Sequence, residues 1–262
     1  MGTDGTGYDP ELYARRRESF GAAAAEYAAH RPDYPAEAIA WALAPAGDAG
    51  ALDVLDLAAG TGKLSRSLVA LGHRVTAVEP DTAMLDELRR RVPEATAVVG
   101  SAERIPLPDA SVDAVLVGQA IHWFDQGKAL PEIARVLRPG GPLATLSNAD
   151  DDRVEWIAGL GDVSPSQVSY LGWATSPGRR IEQNPAFSAT EDADFPHALR
   201  RTADSLVATV ATHSHMLVLD PAEREAAKER VREYLRSRPE TSAGEFDLRL
   251  VTRVQRCVRA GG

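Results

Sequence analysis

Cysteine is almost missing from this sequence. Its single instance, Cys257, excludes an intramolecular disulfide and a cysteine-built zinc cluster. No metal site is expected. Long apolar runs are missing too: none approaches the roughly 20 residues that span a bilayer, and no signal-peptide pattern is present. Positive charge is in deficit, 29 Lys and Arg against 38 Asp and Glu, and no basic stripe stands out. That disfavours a protein that grips nucleic acid through its phosphates. A cytoplasmic protein with no membrane partner is the default expectation. Met1-Gly2-Thr3-Asp4-Gly5-Thr6 formally matches a myristoylation pattern, but a frayed terminus explains it equally well. Basic residues are nearly all arginine and alanine is abundant, which points to a high-GC bacterial genome, where that modification is not expected.

What is present is organised around Leu52-Asp53-Val54-Leu55-Asp56-Leu57-Ala58-Ala59-Gly60-Thr61-Gly62-Lys63-Leu64. The first half is a nearly unbroken apolar run of strand length, as expected of a strand buried on both faces. A small-residue turn with two glycines follows, then a helical pattern with Leu64, Leu68 and Leu71 on one face. Strand, glycine turn and helix is how an open α/β sheet builds a nucleotide site, because the turn lets a ligand approach the backbone. Val75-Thr76-Ala77-Val78-Glu79 reads as the next parallel strand. Glu79 falls at its carboxyl end, where a carboxylate can take both hydroxyls of a ribose.

In chain order, residues 10–29 read as a helix that stops at Arg31-Pro32-Asp33-Tyr34-Pro35, since proline disfavours helix in the residue before it. A short helix over 36–43 precedes the first strand (52–57) and its helix (62–71). Next come a strand (74–79), a helix carrying Met84, Leu85 and Leu88, and a short strand (95–99). Residues 112–118, 126–137 and 143–147 read as strand, helix and strand, with Arg138-Pro139-Gly140-Gly141 as the helix stop. Five strands alternating with helices argue a doubly wound, mostly parallel α/β sheet. From Asn148 to Thr202 the alternation fails, leaving either a packed irregular connection or a lid over a substrate. Residues 202–215 look helical, Asp220-Pro221-Ala222-Glu223 starts a helix that runs to about Arg238, and 246–258 alternates as a closing strand. The expected organisation is a helical cap (1–50), a cofactor-binding core (51–147), a lid or acceptor-binding insertion (148–202), and C-terminal helices with the closing strand (203–262).

Six separated stretches then agree with one family. They are Phe20…Tyr27…Arg31-Pro32-Asp33-Tyr34-Pro35; Leu55-Asp56-Leu57-Ala58-Ala59-Gly60-Thr61-Gly62; Ala77-Val78-Glu79-Pro80-Asp81…Met84-Leu85; Gly100-Ser101-Ala102-Glu103…Pro106-Leu107; Gln119-Ala120-Ile121-His122-Trp123-Phe124; and Arg135-Val136-Leu137-Arg138-Pro139-Gly140-Gly141. Over roughly residues 20–147 the chain resembles class I S-adenosylmethionine-dependent methyltransferases, most of all the small-molecule branch of trans-aconitate methyltransferase-like proteins. The resemblance implies a seven-stranded Rossmann-like sheet and S-adenosyl-L-methionine as cofactor. It implies Asp56 beside the methionine part, backbone at Ala58 and Gly60 lining it, and Gly62 allowing tight entry into the helix. Glu79 would take the ribose hydroxyls, Pro80 and Met84 would border the adenine, and Ser101, Ala102 and Glu103 would meet its edge. Gln119 would join this set, and Tyr27 and Arg31 would reach the cofactor carboxylate. The family pattern often has glycine where Ala58 stands and aspartate where Ser101 stands, which narrows the turn's freedom and removes one adenine contact.

The acceptor side is less legible. His122 and Trp123 follow the fourth strand, where open α/β sheets place ligands, and His213 and His215 lie on a later helix. A histidine with a pKa near ~6.5 can take a proton from an acceptor or hold an acceptor carboxylate as a cation. The plain alternative has Trp123 as core and the later histidines solvated. The implied activity moves a methyl group to an O, N or C nucleophile of a small molecule, such as a carboxylic acid or secondary metabolite. Two rivals remain open. One is a nicotinamide-dependent oxidoreductase, although Ser65 stands where the dinucleotide fingerprint has its third glycine. The other is a methyltransferase fold that binds its cofactor without turnover.

Overall fold

The computed structural model describes residues 32–47, 50–164, 169–173, 178–213, 216 and 219–261. The helix expected over 10–29, and with it Tyr27 and Arg31, lies outside them. Helix α1 (Ala36–Leu43) leads to β1 (Asp53–Leu57), α2 (Lys63–Ala70), β2 (Arg74–Glu79), α3 (Thr82–Arg91) and β3 (Thr96–Val99). Then follow β4 (Ala114–Gly118), α4 (Gln126–Val136), β5 (Pro142–Asp150), α5 (Glu155–Val163) and the short α6 (Tyr170–Trp173). The chain closes with β6 (Glu191–Arg201), α7 (Ala203–Ala211), α8 (Pro221–Arg236) and β7 (Phe246–Val258).

The strands form one seven-stranded sheet in the order β3-β2-β1-β4-β5-β7-β6. Strands β1 to β5 pair in parallel, as the alternation with helices requires. The order reverses between β1 and β4: the chain runs outward through β2 and β3, then returns to the other side of β1. Such a switch point leaves a crevice at the carboxyl ends of the strands.

Local chemistry sets the helix starts. Asp81 caps α3 by accepting from Ala83 N (2.8 Å) and Met84 N (3.1 Å). Thr202 and Ser205 form a reciprocal box at the start of α7. Asp220 accepts from Glu223 N, with Pro221 in the first turn of α8.

The described chain divides into two compact units. In the unit built from Asp33–Asn148, Gly178–Phe195 and Thr252–Gly262, alternate residues of each strand enter different apolar clusters. Val54, Ala77, Leu116 and Leu146 join one cluster; Leu55, Val78, Val117 and Leu143 join the other. The unit containing Ala149–Pro177 and Pro196–Val251 has its own core of Trp156, Leu160, Leu206, Val210, Val231, Leu235 and Phe246. There Tyr234 donates from its hydroxyl to the carbonyl of Trp156 (2.7 Å).

The segment 148–202 is more regular than the sequence reading expects, because it contains α5, α6 and all of β6. Strand β6 escapes sequence analysis for a physical reason. It is the last strand of the order, none of its residues is fully buried, and Pro196 stands in its middle. Proline and charge are tolerated on an edge strand and argue against a central one. Its carboxylates instead find partners on β7, Arg253 with Asp194 (2.7 Å) and Arg256 with Glu191 (2.7 Å).

Candidate functional site

At the end of β1 the backbone turns through three left-handed residues, Ala58 (φ 57°), Gly60 (56°) and Gly62 (82°). For an L-residue such as Ala58 that conformation costs about 1–2 kcal/mol. The two glycines serve different ends. A Cβ on Gly62 would stand 2.8 Å from Leu88 Cγ, so the first turn of α2 packs on α3 only without a side chain there. A Cβ on Gly60 would meet nothing nearer than Met84 Sδ at 3.8 Å, so the space before Gly60 is open. At Gly60 the left-handed φ alone favours glycine, and the space a side chain would occupy is left open.

Two acidic residues converge on this turn. Glu79, 6% exposed at the end of β2, accepts from Gly60 N (2.9 Å) and from Asp81 N (3.0 Å). Asp56, 1% exposed, accepts from Ser65 Oγ through Oδ2 (2.6 Å), while its Oδ1 is buried with no hydrogen-bond partner. Thr61 Oγ1 is buried and unpartnered as well. Buried oxygens of this kind are rare and costly unless something is meant to meet them. Burial raises the Asp56 pKa to about 7; the Ser65 hydrogen bonds oppose the rise and the Glu79 charge adds to it.

Further along the carboxyl edge stand the residues expected at an adenine. Met84 is buried with its sulfur facing the turn, and Pro80 follows Glu79 as an exposed residue. Ser101 forms a bridge to Arg104 just past β3, and Ala102 packs its side chain into the core, so only backbone of Ala102 is available to a ligand. The Glu103 carboxylate accepts from Asp125 N (3.1 Å), tying the loop after β3 to the loop after β4. Gln119 is left-handed (φ 58°), and its amide donates to the Asn148 carbonyl (2.9 Å). A non-glycine residue in that conformation at a switch point is the strain typical of ligand sites.

His122 and Trp123 lie in a single 3₁₀ turn after β4, their rings 4.6 Å apart between centroids. Trp123 and Phe124 are partly buried against one core cluster, so the plain reading describes part of each. Burial first, and then the nearby Arg179 guanidinium, push the His122 pKa down to about 3. The cationic role is therefore not available to it near neutral pH, and as a proton acceptor it is weak. Arg179 itself is buried at 7% exposure, in a segment fixed by Gln126, whose amide donates to Arg180 O (2.9 Å) and accepts from Glu182 N (3.0 Å). His213 stands just past α7, in the other compact unit, and His215 lies outside the described residues.

Sequence reasoning missed three residues here: Arg179, Tyr34 and Asn148. Nothing around Arg179 distinguishes it from a surface arginine. Tyr34 stands in the stretch Arg31-Pro32-Asp33-Tyr34-Pro35, which by itself gives it no role, and Asn148 has one sequence signal, a polar residue near the end of a buried parallel strand. Among the described residues no group of three His, Cys, Asp or Glu side chains could hold a metal ion. No helix among them is long and apolar enough to cross a membrane.

Comparison with known proteins shows the family. A family model described as a methyltransferase domain matches residues 55–145, the stretch from β1 into β5. An uncharacterised methyltransferase of Mycobacterium tuberculosis is 42% identical over 222 residues, 84% of this chain and 87% of that protein. A methyltransferase-like protein of Schizosaccharomyces pombe is 34% identical over 213 residues, 77% of this chain and 79% of its own. Among solved structures, one from Anaeromyxobacter dehalogenans described as a type II methyltransferase superposes with a TM-score of 0.62 at 28% identity, covering 87% of this chain and 97% of that one. Neither a nicotinamide-dependent oxidoreductase nor a non-catalytic binder finds support in these relatives, and the trans-aconitate branch is not singled out among them.

Proposed function

The chain belongs to the methyltransferase family, and on that premise we propose that it moves a methyl group from S-adenosyl-L-methionine to an O, N or C nucleophile of a small molecule. The observation that carries the choice of cofactor is the pair of buried, unpartnered oxygens, Asp56 Oδ1 and Thr61 Oγ1, beside a left-handed turn with open space before Gly60. A polar ligand with hydrogen-bond donors, approaching close to backbone, fits that donor-poor cradle. Asp56 would serve the methionine part, the backbone from Ala58 to Gly62 would line it, and Glu79 would hold the ribose. Each Glu79 oxygen already accepts one backbone N–H and has a further lone pair for a ribose hydroxyl. Pro80, Met84, Ser101, Ala102 and Glu103 are assigned to the adenine and Gln119 to the same crevice; Tyr27 and Arg31 are assigned to the cofactor carboxylate on the resemblance alone.

The cofactor, when bound, supplies a methyl group already activated by its sulfonium charge. What remains for the protein is to orient an acceptor and exclude water, and orientation can account for ~7–11 kcal/mol of a barrier in favourable cases. A general base is an optional addition, worth about 10²–10⁴-fold. We assign His122 and Trp123 to shaping the acceptor pocket, with His122 neutral, and His213 and His215 to a secondary role. Among the described residues of the segment 148–202 assigned to the acceptor, Gly178 has its backbone beside that of His122, and the Arg179 charge acts on the His122 ring.

Calorimetric titration with S-adenosylhomocysteine and with NAD tests the cofactor. Binding of the first and not the second is expected, and the reverse overturns the proposal. A mass-spectrometric screen for methylated small molecules then tests catalysis.

A further inference from the structure

The segment Asp33–Tyr34 is fastened at several points beside the sheet's carboxyl edge. The Asp33 carbonyl accepts from Asn148 Nδ2 (3.1 Å), and its carboxylate pairs with Lys63 Nζ (3.3 Å) and with Arg66, both on α2. Asn148 is buried and fully engaged: its carbonyl takes the Gln119 amide and its Oδ1 the Thr252 hydroxyl. Between these anchors the Tyr34 ring lies on Gly118, the last residue of β4. A Cβ there would stand 2.7 Å from Tyr34 Oη and 3.2 Å from Cζ, so glycine at 118 makes room for the phenol.

The strand register says what that position faces. Asp56 pairs with Leu116 across β1 and β4, so two residues further on Ala58 comes level with Gly118. The phenol oxygen therefore sits where β1 and β4 part, at the level of the left-handed turn and just beyond the buried Asp56 carboxyl. Glu79, by contrast, stands on β2, on the far side of β1. A ligand whose ribose is held at β2 and whose methionine part reaches Asp56 carries its sulfonium between the two, over the left-handed turn whose β4 side Tyr34 borders.

We propose that Tyr34 borders the sulfur of the donor, its phenol oxygen favouring the sulfonium of S-adenosylmethionine over the neutral thioether of the product. The inference rests on the methyltransferase reading given above. A sulfonium has no N–H or O–H to offer, so what distinguishes it is positive charge spread onto its neighbouring C–H groups. Oxygen lone pairs and an aromatic face are the groups that respond to such a charge. The two nearby carboxyls suit the task less well: Glu79 is engaged with two backbone N–H groups, and Asp56 is tied to the Ser65 hydroxyl in a buried setting that disfavours its charge.

The test is calorimetry of S-adenosylmethionine and S-adenosylhomocysteine on the wild-type chain and on Tyr34→Phe, which removes only the oxygen. Tyr34→Phe is expected to weaken S-adenosylmethionine about three- to tenfold and to leave S-adenosylhomocysteine within about twofold. Equal changes for the two ligands, or none, overturn the assignment of Tyr34 while leaving the methyltransferase reading intact. A wild-type chain that binds neither ligand overturns that reading instead. Should Tyr34→Phe not fold, Gly118→Ala places a methyl in the hydroxyl's seat and is expected to give the same selective loss; a non-selective one overturns the proposal.

Discussion

Removing the Glu79 carboxylate tests the site at its most constrained point. The side chain is 6% exposed and accepts from Gly60 N at 2.9 Å and Asp81 N at 3.0 Å. It therefore fastens the glycine turn to the end of β2, and in the proposed function the same carboxylate takes the ribose. In Glu79→Ala both backbone N–H groups lose a charged acceptor, at about 1–2 kcal/mol each once water or relaxation compensates in part. A loss of about 2–4 kcal/mol in a domain of this size lowers the melting temperature by about 5–10 °C. Ligand affinity falls separately, by about 2–3 kcal/mol for two ribose hydrogen bonds to a charged group, or roughly 30–150-fold in Kd. Calorimetry with S-adenosylhomocysteine, run well below the melting transition on protein shown to be folded by circular dichroism, reads the second effect without the first. Unchanged affinity would remove Glu79 from the ligand site; an unchanged melting temperature would refute its hold on the turn.

Three further outcomes follow from the same geometry. Gly60→Ala and Gly62→Ala both place alanine at a left-handed φ, but only the second drives a methyl against Leu88, so Gly62→Ala should lower the melting temperature more while Gly60→Ala should weaken S-adenosylhomocysteine more; equal behaviour of the two in paired thermal melts and titrations would contradict their separate roles. Asp56 has a folded pKa of about 7 against ~3.9 unfolded, so the native state holds the extra proton and stability declines as pH rises from about 4 to 7, by about 4 kcal/mol in the limit. Urea denaturation across that range should give a flatter profile for Asp56→Asn, and an identical slope would refute the raised pKa. Once an acceptor is in hand, His122→Ala and Trp123→Ala should cut turnover at least about tenfold with cofactor affinity within about twofold; matched losses of both would move these residues from the acceptor to the cofactor.

The sequence by itself determined the central sheet and the glycine turn at which the cofactor is proposed to sit. Buried parallel strands such as Ala114–Val117 are apolar on both faces, and a run of that kind has few other destinations. The turn Ala58–Gly62 and the acid ending β2 are local features, fixed by chain direction and side-chain size, so their residues could be named in advance. Even the departure at Ala58 became intelligible only as a matter of degree: alanine adopts the left-handed conformation that glycine takes freely.

Tertiary structure decided the rest, because the remaining properties depend on what lies far away in sequence. Strand β6 exists through its pairing with β7 and not through its own hydrophobic pattern, since an edge strand with Pro196 at its centre carries no such pattern. Gly62 is small because of Leu88, twenty-six positions on, and Gly118 because of Tyr34, eighty-four positions back. The neutrality of His122 is set by burial and by Arg179, and the half-titrated state of Asp56 by burial, Ser65 and Glu79. Protonation and close approach are properties of an environment, and in this chain that environment is assembled from segments that no local pattern connects.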